Sequence, residues 1–481
     1  MSLDSFSTAR AMRSGLRART LSAVELTELH IARIEAHDGA LNAIPVRTFD
    51  RARAAAVEAD RRLARGEDAP LLGLPMTLKE STQVAGLPQS AGLPAFAAHR
   101  PALDGPVARA VFAAGAGLLG KTNVPEALAD WQADSPVYGR TVNPWDASRT
   151  PGGSTGGGGA ALAAGLTPLE IGSDIGGSIR VPAAFCGVFG HRPSETAVPR
   201  AGAFPLADGP SPLSLMGVQG PLARSAGDLE LLLDVIAGPE VGEDAAWRLA
   251  LPPPRAERLG EFRVAFLPPP LDAQPSRAMQ QRLDELAARL RAEGATVAEA
   301  LPALDLAAYF ADYQRLLFAM IHGARPRPER EALAAALREA GDPASLAQAE
   351  GLLLDASELA QLAGRREGAR AAWRAFFRDW DVAVAPTLLD AAFPHQEGDF
   401  ATRTLEVDDR VVPYGHNLLY PMLAIFPGLP ATAFPAGLDP RGLPLGLQAI
   451  GPYLEDRTTL TFARLLEEQA GYGFEPPPGW A

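Results

Sequence analysis

Cysteine is nearly absent from this chain of 481 residues, in which Cys186 is the single example. One cysteine excludes an intrachain disulfide, a CxxC pair and a zinc site built on cysteines. Long apolar runs are missing as well: we find no stretch of about 20 apolar residues, and the segment MSLDSFSTARAMRSG lacks the apolar centre of a signal peptide. These absences predict a cytoplasmic protein with no metal site and no membrane association.

An excess of positive charge is also lacking. The formal net charge is −13 at pH 7, which argues against unaided binding to DNA, RNA or an anionic membrane surface. The apolar fraction of 47% and the charged fraction of 21% are typical of soluble globular proteins. The length is compatible with several domains or with one large α/β enzyme domain. We expect a monomer or homodimer with a small-molecule partner.

Lysine is the scarcest charged residue. The chain has 44 basic residues other than histidine, of which only Lys79 and Lys121 are lysines. Codon bias in a GC-rich genome accounts for arginine wherever a positive charge suffices. Arginine does not lose its proton in proteins, whereas a buried lysine does. The two exceptions are therefore candidates for a neutral amine.

The hydrophobic pattern predicts helices that alternate with short apolar strands, which is typical of an α/β protein. Ser22 and Glu25 have the spacing of a capping box at the start of one of these helices. Predicted helices cover 22–37, 51–66, the first part of 107–120, several amphipathic segments of 255–380, and the segment that starts at 456. Predicted strands cover 70–78, the end of 107–120, 381–389, 429–437 and 443–452.

Glycine is concentrated between residues 150 and 190. Six of the eight positions from Gly152 to Gly159 are glycine. A flexible linker would have polar flanks, but the flanks here are the apolar stretches AALAAGL and VPAAFCGVFG. Glycine in apolar surroundings indicates a backbone that approaches another group closely.

The segment Gly115–Thr122 matches the Walker A phosphate-binding pattern literally. A P-loop requires a strand before the loop and a long helix that starts at the lysine. Here the preceding VARAVFAAGA has the pattern of a helix, and Pro125 prevents a helix from starting after Lys121. Nucleotide binding is therefore the weakest of the hypotheses.

Ser154 lies in a GxSxG motif, which is typical of the nucleophile elbow of esterases. The elbow follows a strand, but two prolines interrupt the preceding NPWDASRTP. The later histidines have no distinctive context. An esterase that uses Ser154 remains a weaker alternative.

A longer pattern covers most of the chain. The stretch PGGSTGGGGAALAAGLTPLEIGSDIGGSIRVPAAFCGVFGHRP resembles the signature region of the amidase signature family. LPMTLKE, GKTNVPE, NPWD, GPLARSAGDLELLLDVIAG and LPLGLQAIGPYLED match the family pattern too. The resemblance is dense over about 20–240 and 380–465, and a helical insert over about 255–380 is unmatched. It implies one large domain over 1–481, with a central mixed β-sheet covered by helices on both faces, and an insert that shapes the substrate pocket.

The resemblance also implies a Ser-cisSer-Lys triad. Ser178 would be the nucleophile, Ser154 the bridging serine on a cis peptide, and Lys79 the base. Thr155 stands where the family often has a second serine and would support the site. The HRP sequence at 191–193 replaces the more usual aromatic-lysine-proline.

This chemistry sets physical requirements on the residues. A serine needs a nearby base, and a lysine amine is a base only if burial lowers its pKa from about 10.4. The apolar run before Lys79 makes that burial plausible. Backbone N–H groups of the turn Ile175–Ser178, namely those of Ile175, Gly176, Gly177 and Ser178, would form an oxyanion hole, helped by a helix that begins near Ser178. Asp174 and Arg180 form a supporting ion pair in one interpretation, and Arg180 faces solvent in the other.

The function expected from the resemblance is hydrolysis of amide-type C–N bonds without a cofactor. Carboxamides, anilides and carbamates (a urethanase activity) would all pass through an acyl-enzyme or carbamoyl-enzyme on Ser178. The main alternative is the A subunit of an aminoacyl-tRNA amidotransferase, but GHRPSETAVPRAG lacks the Tyr-Gly-Arg-Val-Ser pattern of those subunits. We expect the substrate-selecting residues in 300–420 and around Trp131-Gln132. The segments 318–323 and 414–422 either line the pocket or pack in the core.

Overall fold

A mixed β-sheet of eleven strands forms the centre of the computed structural model, which describes residues 3–205 and 215–480. Residues 206–214, within the expected family core, lie outside the described residues. The strands are β1 (Val46–Arg47), β2 (Pro75–Lys79), β3 (Gly117–Thr122), β4 (Asp134–Ser135), β5 (Gly139–Arg140), β6 (Leu169–Asp174), β7 (Phe189–Arg192), β8 (Val218–Ala223), β9 (Arg263–Phe266), β10 (Thr296–Glu299), β11 (Val382–Pro386), β12 (Thr404–Val407), β13 (Arg410–Pro413), β14 (Ala431–Leu438) and β15 (Pro444–Ile450).

The order of the strands in the main sheet is β1-β3-β2-β6-β8-β7-β14-β15-β11-β9-β10. Strand β2 is parallel to both β3 and β6, and β9 is parallel to both β10 and β11. The strands from β6 through β11 alternate in direction. Two small hairpins, β4-β5 and β12-β13, lie outside this sheet.

Helices pack on both faces of the sheet. They are α1 (Ala9–Ala18), α2 (Ala23–Leu41), α3 (Phe49–Ala64), α4 (Pro106–Ala113), α5 (Gly156–Ala163), α6 (Arg180–Cys186), α7 (Ala226–Ile236), α8 (Arg277–Ala292), α9 (Leu306–His322), α10 (Arg327–Ala340), α11 (Pro343–Leu353), α12 (Ala356–Phe376), α13 (Met422–Ile425) and α14 (Asp456–Ala470). Alternate residues of β11 belong to two different cores. Val384 packs with α8 and α14, while Ala383 packs with α9 and α12. Because side chains of a strand alternate between its faces, both faces are covered, which confirms the predicted fold class.

Short sequence patterns predicted the start of a helix correctly. Helix α2 begins after Ser22, and the capping box between Ser22 and Glu25 is formed. Helix α1 was not predicted. None of the described helices has the length and apolarity needed to span a membrane.

The segment 255–380 differs from the predicted helical insert. It contains the strands β9 and β10 as well as helices α8 to α12. The strands continue the main sheet next to β11. Each has only four residues, which is too short for a period-2 pattern to stand out from its helical neighbours.

The Walker-like segment is not a P-loop. Residues Gly117–Thr122 are strand β3, and Lys121 pairs with Leu78 of β2 inside the sheet. A phosphate-binding loop would have to lie between a strand and a helix. The structure therefore agrees with the expectation that nucleotide binding at this segment is a chance match.

Candidate active site

The ends of β2 and β6 bring the predicted site residues to one edge of the sheet. Lys79 is the last residue of β2, and Asp174 is the last residue of β6. The two strands are parallel, so both ends point the same way. The glycine-rich turn before α5 packs over this edge, and the Gly153–Ser154 peptide bond is cis, as the resemblance implies.

Lys79 is fully buried, as expected from its apolar surroundings. Its Nζ lies 2.7 Å from Ser154 Oγ and 2.9 Å from Ser173 Oγ. Burial lowers the pKa of the Lys79 amine to about 7, although the carboxyl groups of Asp174 and Glu170 pull it upward. A substantial fraction of the amine is therefore unprotonated near neutral pH, which is the state that a base requires.

Ser178 lies beside Lys79 and Ser154, and the hydrogen bond that holds it there is made by backbone groups. The N–H of Thr155, which follows Ser154, donates to the carbonyl oxygen of Ser178 at 3.2 Å. In the described part of the chain, no hydrogen bond links the hydroxyl groups of Ser154 and Ser178. Ser178 is 6% exposed, whereas Ser154 is 1% exposed. The nucleophile candidate is thus the more accessible of the two.

Asp174 organises the turn that leads to Ser178. Its carboxylate accepts hydrogen bonds from the N–H groups of Gly177 at 2.9 Å and Ile179 at 3.3 Å. Arg180 Nε donates to it at 3.0 Å, and Arg192 Nη1 lies 3.5 Å away. Burial alone would raise the pKa of Asp174, but the two guanidinium groups lower it to about 2. Arg180 is completely buried, so the ion pair is formed and the solvent-facing interpretation is wrong.

This arrangement corrects one of the expected oxyanion donors. The N–H of Gly177 already donates to Asp174, so it is not available to a substrate. The carbonyl oxygen of Ile175 accepts from the Tyr313 hydroxyl at 3.0 Å. In a trans peptide the C=O and the following N–H point in opposite directions, so the N–H of Gly176 points away from Tyr313. Among the described residues, the N–H groups of Ile175, Gly176 and Ser178 have no acceptor. Helix α6 begins at Arg180, two residues beyond Ser178.

Thr155 and Glu170 are buried polar groups close to these residues. Thr155 Oγ1 has no hydrogen-bond partner in the described part of the chain. Glu170 Oε1 accepts from Thr122 Oγ1 at 2.7 Å, while its Oε2 has no partner there. Burial raises the pKa of Glu170 to about 8. This carboxyl is close enough to Lys79 to raise the pKa of the amine, which opposes the effect of burial.

Sequence reasoning missed Ser173, Glu170 and the role of Arg192. Ser173 and Glu170 are single polar residues on a buried strand, and nothing in their spacing separates them from hydroxyl and carboxyl groups elsewhere. The sequence marks Arg192 only as a variant of the family pattern, yet it donates to the carbonyl oxygen of Asp174 at 2.7 Å. The only signal in the sequence for these residues is that each is a polar residue within a predominantly apolar strand.

The expected substrate-selecting positions are only partly at the site. Trp131 Nε1 donates to the carbonyl oxygen of Gly176 at 2.9 Å. Leu418, from the segment 414–422, lies beside Gly176 and would be 3.7 Å from a Cβ there. The segment 318–323 contains the end of helix α9, where Phe318 and Met320 pack against the large apolar cluster that includes Trp131 and Tyr414, and Phe318 also packs against the small cluster of α10 and α11. Clusters of three or more His, Cys, Asp or Glu side chains suited to a metal are absent from the residues that the structure describes.

The chain is similar to known proteins over most of its length. The family model described as Amidase matches residues 25–460. The chain is 34% identical to the putative amidase AmiB2 of Mycobacterium tuberculosis, with 98% of each chain covered. It is also 34% identical to the A subunit of the glutamyl-tRNA(Gln) amidotransferase of Deinococcus deserti, covering 98% of this chain and 99% of the relative.

A solved structure shares the whole architecture. It comes from work on a vestigial protein complex that reveals the evolutionary origins of an s-triazine catabolic enzyme. Its TM-score is 0.81 at 28% identity, covering 97% of this chain and 99% of the other. Sequence and structure thus match over almost the full length. The chain belongs to the amidase signature family and is a hydrolase that acts on amides.

Proposed function

We propose that this protein hydrolyses small amides through a covalent acyl-enzyme on Ser178, with Ser154 as the proton relay and Lys79 as the base. The observation that carries the proposal is the contact of 2.7 Å between the buried Lys79 amine and Ser154 Oγ. An amine with a pKa of about 7 accepts a proton at neutral pH, and Ser154 is placed to deliver one.

The proposed reaction begins when Ser178 Oγ attacks the substrate carbonyl carbon. The Ser178 proton moves to Ser154 Oγ while the Ser154 proton moves to Lys79 Nζ. When the tetrahedral intermediate collapses, the C–N bond breaks and the same relay returns the proton to the leaving nitrogen. Water then attacks the acyl-Ser178 ester along the same proton path and releases the acid. The missing contact between the two serine hydroxyls is expected to form when substrate binds, because catalytic hydrogen bonds often tighten only then.

The negative charge of the tetrahedral intermediate needs backbone donors. Asp174 holds the N–H groups of Gly177 and Ile179, which leaves those of Ile175, Gly176 and Ser178 for the oxyanion. Loss of one such donor typically costs about 2.7–4 kcal/mol of transition-state stabilisation. Ser173 supports the reaction by fixing Lys79 Nζ through a second hydrogen bond.

The proposed substrates are linear carboxamides, anilides or carbamates, the last giving a carbamoyl-Ser178. None of these steps requires a cofactor, and the proposed partner is a small molecule in the cytoplasm rather than nucleic acid or a membrane. We propose a monomer or homodimer.

The A subunit of an amidotransferase is the second candidate, favoured by the full-length similarity to the Deinococcus deserti protein. Such a protein works within an assembly. Turnover of small amides by the isolated chain, without RNA or a nucleotide, would favour the independent amidase. Release of ammonia only after addition of partner proteins would favour the alternative.

The test combines turnover with covalent trapping. The purified protein is assayed against anilides, short aliphatic amides and aryl carbamates, and is separately treated with methanesulfonyl fluoride before peptide mass spectrometry. We expect hydrolysis and a label on Ser178. Ser178→Ala should lose both the label and all measurable turnover while its thermal melting is unchanged. A label on Ser154 alone would contradict the assignment and favour the GxSxG esterase.

A further inference from the structure

Residues 394–404, here called the strap, lie against the part of the chain that carries Trp131 and are held there by polar contacts. Gln132 and Gln396 exchange two hydrogen bonds, from Gln132 Nε2 to the Gln396 carbonyl at 2.9 Å and from the Gln396 N–H to Gln132 Oε1 at 2.8 Å. Arg403 Nη1 also lies 2.5 Å from Asp130 Oδ2. The strap is therefore fixed by hydrogen bonds and one ion pair to residues 130–132.

Residues 130–132 also pack against the turn of the proposed relay serine. A Cβ added to Gly153, which precedes Ser154, would lie 2.9 Å from the backbone nitrogen and oxygen of Gln132. On the other side, the Trp131 indole donates to the Gly176 carbonyl oxygen. The segment 130–132 thus lies between the strap and both halves of the proposed catalytic machinery.

Three aromatic rings contact one another where the strap meets residues 130–132. The centroid of Trp131 lies 5.3 Å from those of Phe400 and Tyr414, and the Phe400 and Tyr414 centroids are 5.0 Å apart. Trp131 is 5% and Tyr414 1% exposed, but Phe400 is 40% exposed. Phe400 is the member of the trio that presents open ring surface.

The charged groups around the trio are already paired. Asp130 accepts hydrogen bonds from Arg403 and from the Tyr414 hydroxyl at 2.6 Å, and the Arg403 guanidinium lies 5.4 Å from the centre of the Tyr414 ring. Glu397 is paired with Arg140. A carboxylate on a substrate would find no uncommitted cation among these described side chains, whereas a flat apolar group would find ring surface.

We propose that Phe400 is a specificity-determining residue whose ring, backed by Trp131 and Tyr414, binds an aryl group of the amide substrate. The inference rests on the proposed function of Ser178. Aromatic rings gain stabilisation from offset and edge-to-face contacts beyond that of the buried area. A phenyl ring should therefore be preferred over a saturated ring of the same size.

Two matched substrate pairs test the proposal without changing the chemistry of the reacting amide. Phenylacetamide is compared with cyclohexylacetamide for the acyl side, and N-benzylacetamide with N-(cyclohexylmethyl)acetamide for the leaving side. In at least one pair we expect kcat/KM to favour the phenyl compound by roughly tenfold. Phe400→Leu should reduce that ratio to near one, mainly through KM, while Phe400→Tyr should keep it.

Labelling of Ser178 by methanesulfonyl fluoride provides the control, because that reagent is too small to use the ring. Its rate should be the same within twofold in the wild type and in Phe400→Leu. A phenyl ratio near one in both pairs, or a ratio that survives Phe400→Leu, would overturn the inference and leave the proposed function intact. Absence of both turnover and Ser178 labelling would overturn the proposed function and the inference with it.

Discussion

The two lysines differ in the chemistry of their partners. Lys79 lies against two hydroxyl groups, which either donate or accept a hydrogen bond. Lys121 donates to the carbonyl oxygen of Pro88, which only accepts. Burial lowers both pKa values, to about 7 for Lys79 and about 8 for Lys121. Among the hydrogen-bond partners that the described residues give to the two lysines, only those of Lys79 carry a proton that they could transfer to the amine.

Methionine substitutions distinguish the roles of the two lysines, whose side chains are buried to a similar extent. Lys79→Met should lower kcat by at least about a thousandfold, since the serine loses its base. Lys121→Met should stay within threefold of the wild-type kcat and lose thermal stability instead. Lys79→Arg should fail like Lys79→Met, because guanidinium does not accept a proton.

The pH dependence of the wild type gives an independent measurement at this residue. Because the amine must be unprotonated, kcat/KM should rise as pH passes through about 7, the pKa of Lys79, and level off above it. An active Lys79→Met together with an inactive Lys121→Met would contradict the proposed triad.

At the scale of elements, the turn between β6 and α6 requires glycine at one position more than at its neighbour. Gly177 has φ of +93°, and an added Cβ would lie 2.9 Å from Val181 Cγ2 and 3.1 Å from Pro421 Cγ. Gly176 has ordinary φ, and its added Cβ would meet Leu418 Cδ1 at 3.7 Å. The two adjacent glycines therefore form a matched pair.

Gly177→Ala should disturb the turn, whereas Gly176→Ala should be tolerated. A positive φ costs a residue with a side chain about 1–2 kcal/mol, and the contact with Pro421 adds to it. We expect the rate of Ser178 labelling to fall at least tenfold in Gly177→Ala and less than threefold in Gly176→Ala. Equal effects in the two variants would show that the turn geometry does not set the reactivity of Ser178.

The elements that could be predicted from sequence were those with local signals. Ser22 and Glu25 indicated the start of α2, and the apolar run before Lys79 indicated a buried strand. Arg180 could not be settled from the sequence, because its pairing depends on Asp174 being brought back across a turn. The hydrogen bond from the Gly177 N–H to Asp174, which makes this N–H unavailable to a substrate, was not predictable either. It depends on the orientation of single peptide planes.

At the scale of the whole molecule, a buried ion pair joins α12 to the segment after β7. Arg366 pairs with Glu195, and both side chains are almost completely buried. Burial would raise the pKa of Glu195, but Arg366 lowers it on balance. A lowered pKa means that this stabilisation is present above the unfolded-state value of 4.5 and is lost as the pH falls below it.

Arg366→Met should lower the free energy of unfolding by about 3 kcal/mol, because Glu195 loses its closest partner while remaining buried. Urea unfolding at pH 7 measures the change, and the difference from wild type should shrink in acid. Arg365→Met is the control: Arg365 is half-exposed, and its partner Asp312 keeps Arg315 at 2.8 Å, so the expected change is below about 1 kcal/mol. Equal losses would contradict the importance of the buried pair.

The order of the strands has a consequence for synthesis of the chain. The strands β1, β3, β2, β6, β8 and β7 are neighbours in the sheet, and all lie between residues 46 and 223. They leave the ribosome before any strand of the second half. If the first half of the sheet forms during synthesis, β7 lacks its neighbour β14, which begins at Ala431. We then expect the unpaired edge of β7 to be open to association with other nascent chains until β14 has been made. The part of the protein that holds Lys79, Ser154 and Ser178 would be exposed to that association during translation.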